Sequence, residues 1–147
     1  MARRVFFSFE YEHDVTRGMV VRNSWVAAGK EAAGYIDAAE FEKIADQGDK
    51  AVEAWIAEQL KGTSVTVILV GEHTCTSKWV KSEIEQSEVR GNGLLGIDIS
   101  KIKDFAGLTS ERCGKLPAGY PFYLWNNDDG YHKMSDWIEA AATAAGK

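Results

Sequence analysis
In the stretch SKWVKSEIEQS, residues 77–87, Trp79 is followed four residues later by Glu83. The stretch follows, five residues on, the apolar run SVTVILVG, residues 64–71, which reads as a buried strand. A carboxylate beside an indole where a strand hands over to a helix can steady positive charge, while the ring can position a planar group and exclude water. Helical geometry gives Glu83 an ambiguous place. At about 100° per residue, Val80, Ile84 and Ser87 share the core-facing stripe, and Glu83 falls roughly 60° off it on the side of Trp79. Lys81, Glu85 and Glu88 read as surface charge. On spacing alone Glu83 is a boundary carboxylate of a kind common on exposed helix faces, and the structural and catalytic readings both stand.

The other reactive side chains form weaker patterns. His13, His73 and His132 are too scattered to make a motif, and no nucleophile is placed for His73 to activate. Cys75 and Cys113 lack CxxC or metal-type spacing and read as two free thiols, with Cys75 a poor candidate nucleophile. The acidic stretch IDAAEFE reads as a loop without ordered ligand spacing for a cation, so no metal site is expected. No phosphate-binding GxxxxGK[ST], dinucleotide-binding GxGxxG or nucleophile-elbow GxSxG is present. A phosphoacceptor aspartate is absent too, since Val70, Gly71 and Glu72 end the strongest strand.

Five predicted strands carry these residues: RRVFFSF (3–9), AGYIDA (33–38), SVTVILVG (64–71), GLLGIDIS (93–100) and YPFYLWN (120–126). Helical patterns fall between them. The first should bury Val15, Met19, Val20, Trp25 and Val26, and the second Ala51, Trp55, Ile56 and Leu60. The third starts at Ser77 and stops at Gly91, and the last turns Trp137 and Ile138 inward. Residues 101–119 are polar and punctuated by glycine, and read as a long loop. Strands alternating with helices predict an α/β, flavodoxin-like three-layer sandwich: a five-stranded parallel sheet of order 2-1-3-4-5 with helices on both faces, in one domain spanning residues 1–147. Ligands of such sheets bind beyond the carboxyl ends of the strands, where the strand order reverses.

A net charge of −5 without a Lys/Arg-rich run disfavours nucleic acid as a partner, because phosphate neutralisation needs clustered positive charge. No apolar stretch approaches the roughly 20 residues that span a bilayer, and the N-terminal apolar run is too short for a signal peptide. The expected location is the cytoplasm.

Taken together, RRVFFSF, VVRNSW, GYIDAAEF, LKGTSVTVILVG, KWVKSEIEQS, RGNGLLGI and NDDGYHKMSDWI resemble a TIR domain over nearly the whole chain. More narrowly, the chain is similar to the bacterial TIR-like family that includes the signal-producing subunit of Thoeris antiphage defence. The resemblance implies that Glu83 is the catalytic carboxylate of an enzyme that cleaves the nicotinamide–ribose bond of NAD. It implies cofactor contacts from Ser8, Phe9, Asp37, Ser77 and Trp79, with NAD as substrate and no separate cofactor. It further implies a cyclic ADP-ribose-type product, or ADP-ribose, an effector protein activated by that diffusible nucleotide, and self-assembly into a homo-oligomer. Two other classes compete with this expectation: a catalytically silent TIR-like docking module, and a nucleoside deoxyribosyltransferase-like enzyme acting on an N-glycosidic bond.

Overall fold
The computed structural model describes residues 3–10, 13–33 and 38–147. In chain order the elements are β1 (Arg4–Ser8), α1 (Val15–Ala27), β2 (Glu31–Ala33), α2 (Ala38–Ala45), α3 (Asp49–Leu60), β3 (Val65–Val70), α4 (Lys78–Arg90), β4 (Gly93–Asp98), β5 (Phe122–Leu124) and α5 (Gly130–Ala144). The five strands form one parallel sheet in the order β2-β1-β3-β4-β5, as the alternation of strand and helix patterns predicts.

Every residue of β3 and β4 is buried, which is why both read as nearly unbroken apolar runs. On one face Val5, Phe7, Val67, Leu69, Leu95 and Ile97 pack against Val21 and Trp25 of α1 and Met134, Trp137 and Ile138 of α5. On the other, Phe6 meets Val52, Ile56 and Leu60 of α3, with Phe41 and Ile44 of α2 beside them. Further along that second face, Ile68, Val70 and Leu94 receive Val80 and Ile84 of α4.

The structure corrects several local expectations. β2 is short and ends at Ala33, where the predicted second strand began; residues 34–37 lie outside the described residues. The stretch after it, read as a loop, folds into α2, whose Phe41 and Ile44 reach the core. In α1, Arg17, Gly18, Val21 and Trp25 face inward while Val20 and Val26 are exposed. The inward side is set by an arginine and a glycine, which carry no hydrophobic signal. Arg17 enters the fold because its guanidinium donates to the carbonyls of Ile102 (2.7 Å) and Leu108 (3.0 Å). In α3, Val52 takes the buried place expected of Ala51.

Cys75 and Cys113 are joined in a disulfide rather than free, with Cα atoms 5.2 Å apart. Their spacing of 38 residues carries no signal, because the pairing depends on two loops meeting at one end of the sheet. Residues 101–119 are otherwise a long loop without helix or strand, as expected. Among the described residues no helix is long and apolar enough to cross a membrane.

Candidate functional site
Helix α4 is placed by its ends. Ser77 Oγ accepts from the Val80 N–H (3.3 Å) at the start, and Gly91, in the left-handed region, closes the last turn. Between them the buried residues are Val80, Glu83 and Ser87. The helix is therefore turned farther toward α3 than its apolar spacing predicts. Ile84 moves to the flank, where it packs with Leu116 and Phe122, and Glu83 comes to the centre.

Glu83 is 1% exposed. Its Oε1 accepts a hydrogen bond of 2.8 Å from the hydroxyl of Ser8, the last residue of β1. Its Oε2 has no hydrogen-bond partner among the described residues. Burial pushes the carboxyl up to about 8, and the Ser8 hydrogen bond opposes only part of that rise. The pair lies where the strand order reverses between β1 and β3, at the carboxyl end of β1, which is the ligand position of open α/β sheets.

One turn before Glu83, Trp79 packs on the same face with Phe6, Val52, Ile56 and Trp55. Lys78 Nζ stands 4.6 Å from the centre of its ring while holding Asp49 at the start of α3 (3.1 Å). Ser77 serves as the helix cap and faces a different space, a cavity of about 570 Å³ on the far side of α4 lined also by Ile84, Glu85 and Leu116. Phe9 turns away as well. Its ring belongs to the α1–α5 face, where it occupies the position a side chain on Gly18 would need. Asp37 lies outside the described residues. The structure thus joins Ser8 to Glu83, keeps Trp79 on their side of the sheet, and places Ser77 and Phe9 elsewhere.

A second buried carboxylate supports the loop that leads into α4. Asp14, 1% exposed, accepts from the His73 backbone N–H (3.2 Å) and the Thr74 hydroxyl (3.5 Å). Thr74 Oγ1 in turn accepts from Gly71 N (2.8 Å). An added Cβ at Gly71 would sit 2.7 Å from the Asp14 carboxyl, so glycine is required by contact. Burial raises Asp14 above the ordinary carboxylate range, and the His73 N–H opposes that rise. Above it, His13 and His73 stack with ring centres 4.1 Å apart. The two histidines that appear scattered in sequence are therefore neighbours, and only their shared position at strand ends could have signalled it. Among the described residues no group of three His, Cys, Asp or Glu side chains is arranged to hold a metal ion.

Comparison with known proteins gives matches of three kinds. Residues 6–104 match the family model "Thoeris protein ThsB, TIR-like domain". A Bacillus cereus (strain MSX-D12) protein bearing the name "Putative cyclic ADP-D-ribose synthase ThsB1" is 37% identical over 139 residues, covering 93% of this chain and 72% of that protein. Among solved structures, a metazoan TIR-STING receptor from C. gigas in complex with 2',3'-cGAMP superposes with a TM-score of 0.55 at 14% identity. That alignment covers 94% of this chain and 39% of the receptor chain, and at this identity it shows the fold alone.

Proposed function
The chain belongs to the Thoeris ThsB TIR-like family, and from that membership and the geometry of Glu83 we propose that it cleaves the nicotinamide–ribose bond of NAD and forms a cyclic ADP-ribose-type signal. The observation that carries the proposal is a carboxyl group sealed from water at the switch point of the sheet, with one oxygen held by Ser8 and the other without a partner among the described residues.

The reaction asks little of the protein. The leaving group departs from a cationic pyridinium as neutral nicotinamide, so no general acid has to protonate it. As the C1′–N bond breaks, positive charge spreads over the ribose ring, as in glycoside cleavage. A carboxylate in a dry, fixed setting stabilises that charge far more than one in water. Ser8 fixes the carboxylate by holding Oε1, which leaves Oε2 for the substrate. The C1′ carbon is then captured by an atom of the same molecule, giving the cyclic isomer, or by water, giving ADP-ribose and a proton. No other cofactor enters this scheme. The relative's name supports cyclisation as the main outcome. The partner implied is an effector protein that reads the nucleotide, and self-assembly of this chain belongs to the same proposal.

The test is incubation of concentrated protein with NAD, alone and with lysate of infected cells, while nicotinamide release and product mass are followed. Wild type should release nicotinamide and yield a product of the mass of ADP-ribose less one water. Glu83→Gln should lower the rate by about a thousandfold, the scale of removing one preorganised charge-stabilising group. Equal rates from the two proteins would remove Glu83 from the chemistry.

A further inference from the structure
The disulfide between Cys75 and Cys113 closes over the loop that feeds α4. Cys75 sits in the 3-10 turn Thr74–Thr76, two residues before Ser77, and is exposed. The segment around Cys113 lies alongside that turn. Cys75 N donates to Cys113 O (2.8 Å), and Cys113 N donates to Gly71 O (2.9 Å). Gly114 has a φ of +135°, and the place of its missing Cβ is 3.4 Å from the Cys75 nitrogen, so a backbone with no side chain passes close over the turn. Residues 109–117 have no regular structure; Ser110 bonds Ser100 O (2.8 Å) and Lys101 Nζ (2.8 Å), Arg112 pairs with Asp98 (3.5 Å) and Leu116 packs on Val80 and Ile68, so these ties run to β4, the loop after it and the sheet face. The disulfide is thus the covalent tie between an irregular segment and the turn that precedes the helix carrying Glu83.

We infer that Cys75–Cys113 is a reversible redox site, whose oxidised form clamps segment 109–117 onto the 71–77 loop and whose reduced form releases both. The part that concerns turnover rests on the NAD reading above. NAD is a metabolite of the reducing interior of the cell, where exposed disulfides are short-lived and those that form are usually transient or redox-sensing. The exposed residue Cys75 gives a reductant its point of attack. The thiolate of a dithiol reductant bonds to Cys75 Sγ and displaces the Cys113 thiolate. The reductant's second thiol then frees Cys75 and leaves as a disulfide. Two electrons and two protons pass from the dithiol to the cysteine pair, and the reverse exchange with oxidised glutathione restores the bond. Oxidation therefore orders the entry to α4 and raises turnover, and reduction lowers it.

The experiment uses the full chain in oxidised glutathione and in dithiothreitol, without denaturant. Thiols are counted by alkylation and mass, and amide hydrogen exchange is followed in peptides covering 71–77 and 109–117. The expected result is complete native-state reduction and an exchange rate about tenfold or more faster in both segments, with β3 and β4 unchanged. The double variant Cys75→Ser/Cys113→Ser should exchange like the reduced form in both buffers. Nicotinamide release should fall about threefold or more on reduction, the scale of slightly misplacing a positioned group. Cysteines that stay as thiols in oxidised glutathione would overturn the inference, as would a bond that resists dithiothreitol until the chain unfolds. So would equal exchange in the two states. If neither state turns over NAD, the exchange result alone decides, and the failure falls on the NAD reading instead.

Discussion

Replacing Glu83 by glutamine should make the protein more stable while removing its activity, and the gain should depend on pH in a defined way. Burial moves the carboxyl from an ordinary 4.5 to about 8. In that interval the folded protein holds a proton that the unfolded chain has released, so stability falls as pH rises. The sign follows from the raised value: what the acid contributes to folding is whole below 4.5 and is lost as pH rises through 8. Each pH unit between those limits costs about 1.4 kcal/mol, which makes the penalty at pH 7 about 3 kcal/mol. Glutamine has the shape and neutrality of the protonated acid and carries no such penalty. The variant should therefore match wild type near pH 4 and exceed it by about 3 kcal/mol at pH 7, a rise in melting temperature of roughly 10 °C. Above pH 8 the gap should level off. Urea unfolding of both proteins at half-unit steps from pH 4.5 to 8.5 gives the difference directly. A gap that stays flat across that range, or a variant less stable than wild type at pH 7, would refute the claim that this carboxyl is buried and costly to ionise.

Ser8→Ala removes the hydrogen bond that favours the ionised form of Glu83, so its titration should move to still higher pH; nicotinamide release at pH 7 should fall about tenfold and recover in part at pH 9. An equal loss at every pH would count against this role. Binding of NAD should place a pyridinium cation near Glu83 and expel its proton, so calorimetry near pH 7 in two buffers of different ionisation enthalpy should show up to about one proton released, and none with Glu83→Gln. Gly71→Ala should cost about 1–3 kcal/mol in urea unfolding, because the new Cβ meets the Asp14 carboxyl at 2.7 Å. Phe105, 97% exposed, should be replaceable by serine with a change within about 0.5 kcal/mol.

The sheet was legible because β3 and β4 are covered on both faces and must be apolar throughout, and because parallel strands need helices between them. The strand order followed from connection rules rather than from any residue. What escaped were elements whose burial does not depend on hydrophobic side chains. Arg17 is buried on the strength of carbonyl acceptors more than eighty positions away in sequence. α2 holds its place with Phe41, Ile44 and Ala45 in a stretch that otherwise reads as an acidic loop. The candidate site follows the same rule. Glu83 is singled out by the family resemblance and looks marginal on a helical wheel, because its counterpart, Ser8, comes from a strand 75 residues earlier. The Cys75–Cys113 pair and the His13–His73 stack join distant loops and leave no local trace.

The inner face of α4 contains its own control for the argument about Glu83. One turn below, Ser87 is equally buried and equally polar, but its hydroxyl bonds Thr66 Oγ1 (2.7 Å), which also accepts from Asn92 (3.3 Å). Asn92 reaches Thr63 in turn (2.9 Å), so that group closes on itself at the amino-terminal end of the strands. A helix can thus be seated on this sheet through small hydroxyls and an amide, all neutral and all partnered. Nothing in packing requires an acid at position 83, where a leucine would fill the same space without any cost of ionisation. The chain instead carries a carboxyl with one oxygen engaged and the other without a partner among the described residues, at the end of the sheet where ligands bind. A group so placed lowers stability in the empty protein and recovers that energy only when a positive charge arrives. A fixed acid at this position is what the proposed reaction asks for, because it would face the positive charge that forms on the ribose.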